Sequence, residues 1–219
     1  MQRRHFSLSA ATVAASTLGM AGLPAWAQIK ALEQGDTEFL TLDTPAPTVA
    51  PAGKIEVIEF FWYKCPHCNA FEPAFNAWVK KLPKDVFLRR VPVGFRPDFE
   101  PQQRLYFVLE ALGKLDELHG KVFHTIHAER QPLDTFEQML VWAEKQGIAK
   151  DRFSELFKSF TITTKVRKAT QLQEAYIVDG VPSLGIQGLY FTSATQAGSL
   201  PRALQVTDAL IARSRSKAK

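Results

Sequence analysis

Short apolar runs and helically spaced apolar residues alternate between residues 54 and 93. Residues 54–62, KIEVIEFFW, form a short β-branched and aromatic run, which predicts a buried central strand. Apolar side chains then recur at helical spacing, which predicts a helix over residues 66–81 that Pro66 opens and Pro73 bends. Residues 86–93 predict the next strand. The order strand, helix, strand is that of a βαβ unit.

From residue 98 to residue 160 the pattern is helical throughout. The four amphipathic segments there are 104–112, 115–126, 135–146 and 151–157, and a longer polar helix is predicted over 163–177. The remaining predicted elements are short strands around 38–42, 184–186 and 189–191, and a closing helix over 200–212. We therefore predict an α/β fold in which early and late strands share one sheet, with an inserted helical subdomain between them.

The first 27 residues have the pattern of a secretory signal peptide. Arg3 and Arg4 precede an uncharged run over residues 6–25, and Ala25-Trp26-Ala27 forms a small-residue cleavage site. An uncleaved membrane anchor is the alternative, but Ser, Thr and Gly dilute the run and Pro24 breaks it. Because Arg3-Arg4-His5-Phe6 also fits a twin-arginine signal, the export route stays open between that system and Sec.

Composition and charge narrow the class of protein. A chain of 219 residues with 46% apolar residues can bury a sizeable core, as one domain or one domain with an insertion. The net charge is only +5, and two of the positive charges lie in the leader. We therefore expect no nucleic-acid binding on the basis of charge. Export to an oxidising compartment would favour a disulfide between any neighbouring cysteines.

The chain has only two cysteines, Cys65 and Cys68, and three roles compete for them. A structural disulfide would close a loop of four residues, which gains little stability and strains the ring. Half of a zinc site would need ligands such as His119, His124 and His127, which lie some fifty residues away and not at finger spacing. The third role is that of a redox dithiol.

The redox role accounts for the residues around the pair. Cys65 would lie at the N-terminus of the predicted helix, where free N–H groups and the helix dipole stabilise a thiolate. Pro66 opens the helix, and His67 could add positive charge or donate a hydrogen bond to the Cys65 sulfur. The thiol pKa would then be depressed, and the disulfide would be a better oxidant. Cys65 is predicted to be the exposed nucleophile and Cys68 the buried resolving thiol.

The segment VIEFFWYKCPHCNAFEP, the helical insertion and Gly180-Val181-Pro182 before a hairpin together resemble the DsbA family of the thioredoxin superfamily. The resemblance covers essentially all of the chain after the leader. It implies a thioredoxin-like domain built from residues 28–97 and 161–219, with a helical insertion at 98–160. It also implies a periplasmic dithiol oxidase that donates a Cys65–Cys68 disulfide to unfolded exported proteins, without cofactor or metal. Reoxidation would come from a quinone-linked inner-membrane oxidase of the DsbB type, and the protein would act as a monomer.

The resemblance assigns roles to residues near the cysteines. Pro182 would follow a cis peptide bond and lie against the sulfurs, although a plain turn proline is the alternative. The exposed peptide of Val181 would pair with an extended substrate, and Phe71 would contribute an apolar contact to it. Ser183 stands where the family often has alanine, which leaves the fine specificity open.

Glu59 lies in the middle of the predicted central strand, where a carboxylate is unusual. It could face a polar edge, or it could be buried beneath Cys68 and affect its proton. The family pairs a glutamate here with a lysine on the next strand, and that position is Arg90 in this chain. Because arginine keeps its proton, we expect Glu59 to stay anionic and to modulate cysteine reactivity, and whether the pair relays protons stays open.

Two other functions remain open. A disulfide isomerase or reductase could use the same fold, but such isomerases usually carry a dimerisation domain, for which residues 28–53 are too short. A zinc-binding or chaperone module without enzymatic activity is the second alternative.

Overall fold

The computed structural model describes residues 38–217, so the predicted signal peptide lies outside the described residues. Five strands form one mixed sheet with the spatial order β1-β5-β4-β2-β3. The strands are β1 (Leu40–Thr41), β2 (Ile55–Phe61), β3 (Val86–Pro92), β4 (Ser183–Ile186) and β5 (Tyr190–Ser193). The prediction that early and late strands share one sheet is confirmed.

The strand before the cysteines is an interior strand of the sheet, next to the edge strand β3. All seven residues of β2 are buried, because β2 pairs in parallel with β3 on one side and antiparallel with β4 on the other. The register places Glu59 opposite Arg90 on β3 and opposite Leu184 on β4. The β-branched and aromatic run therefore forms the strand that its composition predicts.

Eight α-helices complete the described part of the chain. They are α1 (Pro66–Val79), α2 (Glu100–Ala111), α3 (Leu115–His127), α4 (Phe136–Lys145), α5 (Lys150–Lys158), α6 (Phe160–Ala175), α7 (Ala194–Ala197) and α8 (Leu200–Lys217). A 3₁₀ turn, Pro97–Phe99, precedes α2. Pro73 lies inside α1, which continues past it to Val79.

Helix ends differ from the prediction for identifiable reasons. The helix predicted to start at residue 104 starts at Glu100, and Gln102 and Gln103 near its start are buried and donate to the carbonyl oxygens of Leu133 and Pro92. The last helix runs five residues further than predicted, and an ion pair of 2.6 Å between Arg215 and Asp85 holds its final turn. Helix α7 and the 3₁₀ turn were not predicted.

Two apolar clusters fill the two sides of the sheet. The larger cluster packs β2 and β3 against the helical region, and the smaller one packs α1 and α8 against β2, β4 and β5. Helix α6 starts where the insertion was predicted to end and packs on α2 and α5, so it belongs to the helical layer as well. Among residues 38–217, no helix has the length and apolar character needed to cross a bilayer.

Candidate active site

The cysteine pair lies where β2 passes into α1. Cys65 is the N-cap residue of α1, and its Sγ accepts a hydrogen bond of 3.4 Å from the Cys68 backbone N–H. The Cys65 thiol also contacts the carbonyl oxygen of Val181 at 3.4 Å. Both cysteines are free thiols in this structure.

Cys65 is more covered than predicted. It is 7% exposed and Cys68 is fully buried, whereas Pro66 and His67 between them are exposed. The prediction of an openly exposed nucleophile is corrected accordingly, because the Val181 segment lies against the Cys65 sulfur. Cys65 is still the outer of the two sulfurs.

The two thiols differ sharply in acidity. A hydrogen bond from the Cys68 thiol, followed by the backbone N–H groups of Cys68 and His67 and the charge of His67, lowers the pKa of Cys65 to about 6. Burial, and then the contact with Cys65, raises the pKa of Cys68 well above its ordinary value. Cys65 is therefore the thiol that ionises near neutral pH, and His67 contributes through its backbone and its charge.

The Val181–Pro182 peptide bond is cis, as the resemblance implied and in contrast to a plain turn proline. Pro182 is buried and Val181 is half-buried beside Cys65. The position of Phe71 differs from the expected contact with substrate. Its side chain is 3% exposed and packs on Phe75 with ring centroids 5.3 Å apart. Since this face of α1 is turned into the core, Phe71 offers an incoming chain no surface.

Glu59 is buried and does not face a polar edge. It is fully inaccessible to solvent, and the Arg90 guanidinium donates a hydrogen bond of 2.7 Å to its Oε2. Burial raises the pKa of Glu59 to about 8, although the Arg90 charge acts in the opposite direction. Desolvation therefore has a larger effect on the Glu59 pKa than the Arg90 charge does, which is opposite to the direction expected from the ion pair alone.

Arg90 is shared with two polar residues of α1 that were not predicted as site residues. Arg90 Nη2 donates to Asn76 Oδ1 at 2.7 Å and lies 3.4 Å from Glu72 Oε1, and Asn76 donates to the other Glu72 oxygen at 2.9 Å. Glu72 and Asn76 are four residues apart on a helix whose other face is apolar, which is the signal that could have indicated them. Two carboxylates thus face one guanidinium next to the cysteine pair.

The histidines considered as zinc ligands have other partners. His119 Nδ1 lies 2.8 Å from the Tyr63 hydroxyl, and His127 Nε2 lies 2.9 Å from the Tyr63 carbonyl oxygen. The His124 side chain is 66% exposed and lies near Glu129. Within residues 38–217, no three His, Cys, Asp or Glu side chains are grouped so that they could hold a metal ion.

The fold and the site define a class: a thioredoxin-like protein with an acidic thiol at a helix N-terminus, a buried second thiol and a cis-proline loop beside them. Comparison with known proteins agrees. The family model of the DSBA-like thioredoxin domain matches residues 86–205. The thiol:disulfide interchange protein DsbA of Bordetella parapertussis is 43% identical over 218 residues, covering 98% of this chain and all of that protein. DsbA of Pseudomonas aeruginosa is 38% identical over 216 residues, covering 99% of each chain.

Solved structures give the same result. The crystal structure of Pseudomonas aeruginosa DsbA superposes with a TM-score of 0.78 at 38% identity, covering 84% of this chain and 95% of that one. The structure of the oxidoreductase DsbA from Xylella fastidiosa superposes with a TM-score of 0.76 at 27% identity, covering 82% and 96%. The chain belongs to the DsbA family, and it is a thiol:disulfide oxidoreductase.

Proposed function

We propose that the oxidised Cys65–Cys68 pair is the disulfide donor and that Cys65 is the sulfur attacked by substrates. A substrate thiolate attacks Cys65 Sγ, the Cys65–Cys68 bond breaks, and a mixed disulfide forms. A second substrate thiolate then attacks the substrate sulfur and releases Cys65 as a thiolate. The substrate loses two electrons and its two thiol protons, and the enzyme is left as the dithiol, so no further cofactor is needed.

The single observation that carries this proposal is the position of Cys65 as the N-cap residue of α1, where its Sγ accepts the Cys68 N–H and its pKa is lowered to about 6. A stabilised thiolate is a good leaving group when the mixed disulfide is resolved. It also stabilises the reduced enzyme, which makes the oxidised enzyme a stronger oxidant. Cys68 has the opposite property, because its raised pKa favours a protonated resolving thiol.

The Cys68 sulfur must gain a proton when the disulfide opens. Glu59 is the buried carboxyl group whose charge acts on Cys68, and its pKa of about 8 allows it to hold a proton near neutral pH. We therefore propose that Glu59 supplies that proton. This restores the relay that the presence of Arg90 had made doubtful.

The proposed substrates are unfolded, exported proteins that contain cysteine. An extended substrate would pair with the peptide of Val181, whose carbonyl oxygen is 3.4 Å from Cys65 Sγ, with the buried Pro182 supporting the loop. The leader pattern of residues 1–27 supports export to the periplasm by Sec or the twin-arginine route. A DsbB-type quinone-linked oxidase as electron acceptor, a monomeric state and the division at residues 98 and 160 are parts of the same proposal.

An isomerase or reductase on the same fold is the competing function, and the reduction potential separates the oxidase from the reductase. We expect titration against glutathione to show the Cys65–Cys68 pair mostly reduced at redox ratios where an ordinary protein disulfide stays oxidised. A pair that remains oxidised under those conditions would support a reductase and contradict the proposed oxidase.

A further inference from the structure

Two histidines of α3 bind the same residue of the segment that leads into the active site. His119 Nδ1 is 2.8 Å from the Tyr63 hydroxyl, and His127 Nε2 is 2.9 Å from the Tyr63 carbonyl oxygen. Tyr63 is 1% exposed and lies two residues before Cys65. We call this arrangement of His119, His127 and Tyr63 the Tyr63 clamp.

The partners of the two imidazoles fix which atoms donate. A carbonyl oxygen only accepts, so His127 Nε2 carries the proton and donates to Tyr63. His119 Nε2 makes no hydrogen bond but lies 3.5 Å from Glu72 Oε1, and the nearby carboxylate favours a proton on that nitrogen. The proton of a neutral His119 therefore belongs on Nε2, and Nδ1 accepts from the Tyr63 hydroxyl. Burial lowers the pKa of His119, which favours this neutral form.

The helical region holds the residues on both sides of Tyr63 as well. The Trp62 ring stacks on Phe99 with centroids 3.9 Å apart, and Lys64 forms an ion pair of 2.7 Å with Asp134. The Trp62 carbonyl oxygen in turn accepts a hydrogen bond of 3.0 Å from the Cys65 backbone N–H. The position of this segment therefore determines where the N-cap residue of α1 lies.

We propose that His119 and His127 are positioning residues of the redox pair: through Tyr63 they hold Cys65 where its sulfur accepts the N–H groups of α1. This inference rests on the proposed role of Cys65 as the ionised thiol. Neither histidine touches the sulfur, so both would act through the segment and not as catalytic groups.

The clamp should affect the two redox states unequally. In the reduced enzyme, the Cys65 sulfur depends on correctly placed N–H donors for its charge. In the oxidised enzyme, the bond to Cys68 fixes the same sulfur covalently and it carries no charge. Loosening the segment therefore destabilises the reduced state more, and the enzyme becomes a weaker oxidant.

His127→Leu tests the carbonyl arm of the clamp. One hydrogen bond contributes about 0.5–1.5 kcal/mol, so we expect the equilibrium constant with glutathione to shift about 2- to 10-fold toward a weaker oxidant. The Cys65 pKa, measured by thiolate absorbance against pH, should rise in parallel. His127→Gln can again donate to the carbonyl oxygen and should restore both values. His124→Leu, on an exposed position of the same helix, is the matched control and should change neither.

Tyr63→Phe tests the contact between the Tyr63 hydroxyl and His119, because it removes the hydroxyl and keeps the packed ring. We expect the same direction of change, and this variant serves if His127→Leu does not fold. Variants that lose stability toward urea but keep the wild-type glutathione equilibrium and Cys65 pKa would overturn the clamp, leaving the two histidines a purely structural role. If wild type itself fails to oxidise thiols, the proposed function fails first. If wild type is active and no clamp variant changes its redox equilibrium, only the clamp fails.

Discussion

Cys65 and Glu59 are both covered by protein, yet burial dominates the acidity of only one of them. At the start of α1, hydrogen bonds from the Cys68 thiol and from backbone N–H groups lower the pKa of Cys65 to about 6 despite its burial. Beneath the pair, Glu59 has one bonded partner, Arg90, and its pKa rises to about 8. One guanidinium shared with Glu72 does not replace the water that a carboxylate loses, whereas several fixed donors around one sulfur do.

Replacing each cysteine in turn should give the largest change in thiol-oxidation activity. We expect Cys65→Ser to abolish oxidation of a reduced, unfolded protein, because the attacked sulfur is gone. Cys68→Ser should instead accumulate mixed disulfides at Cys65, because Cys68 can no longer displace the bound partner by re-forming the Cys65–Cys68 bond. Mass mapping of the trapped adducts checks both, and adducts found on Cys68 in the Cys65→Ser variant would reverse the assigned roles.

The raised pKa of Glu59 predicts that the stability of the folded protein depends on pH. Its folded pKa of about 8 lies above the unfolded value, so its contribution to stability is full below the unfolded pKa and is lost as pH rises toward 8. One group can change the free energy of unfolding by at most about 1.4 kcal/mol per pH unit. Between pH 5 and pH 8, Glu59→Gln should therefore lose less stability than wild type.

Urea unfolding of the oxidised proteins measures this difference without interference from the Cys65 thiol. Parallel pH profiles for wild type and Glu59→Gln would mean that Glu59 is ionised throughout and that Arg90 compensates its burial after all.

The low pKa of Cys65 predicts the opposite pH dependence of stability for the reduced protein. Its folded pKa of about 6 lies below the ordinary thiol value, so its contribution to stability is full above the unfolded pKa and is lost as pH falls through 6. At pH 7 a shift of this size is worth about 1.4 kcal/mol. We expect the reduced protein to be more stable than the oxidised one at pH 7, with the margin growing toward pH 9. Paired urea curves of both states check it, and a margin that shrinks as pH rises would contradict the low pKa.

Replacing His67 should give the smallest change. Its charge is the last of the factors that lower the Cys65 pKa, and its backbone N–H survives substitution. His67→Leu should raise the Cys65 pKa by less than about one unit, which corresponds to less than about 30 mV in reduction potential. Thiolate absorbance and glutathione equilibria measure the two shifts. An unchanged pKa and potential would reduce His67 to a spacer between the cysteines.

The features that depend on neighbouring residues could be predicted from the sequence. The run before Cys65 forms β2, Pro66 opens α1, and Cys65 is its N-cap, because each follows from local pattern and backbone chemistry. The position of Arg90 opposite Glu59 followed from the family resemblance.

What could not be predicted depends on long-range packing. Phe71 was expected to contact substrate because the resemblance placed it near the cysteines, and only its packing on Phe75 shows that this face of α1 meets the core. Tyr63 and His119 are 56 residues apart, and no local pattern brings them together. The Glu59 pKa depends on the balance between desolvation and one ion pair, which needs the burial of both groups.

The place of β2 between β3 and β4 also affects the order in which the chain can fold. In the parallel pair of β2 and β3, Ile55 lies opposite Val86, only 31 residues later in the chain. In the antiparallel pair of β2 and β4, Glu59 lies opposite Leu184, and nearly the whole helical region separates them in sequence. Until that late segment arrives, one side of the most apolar strand has open hydrogen-bonding groups, which are a template for wrong pairing. Such distant contacts slow folding. A chain ended before Ser183 would keep both cysteines and lose β4, which pairs with β2 beside them, so synthesis must be nearly complete before the active site can assemble.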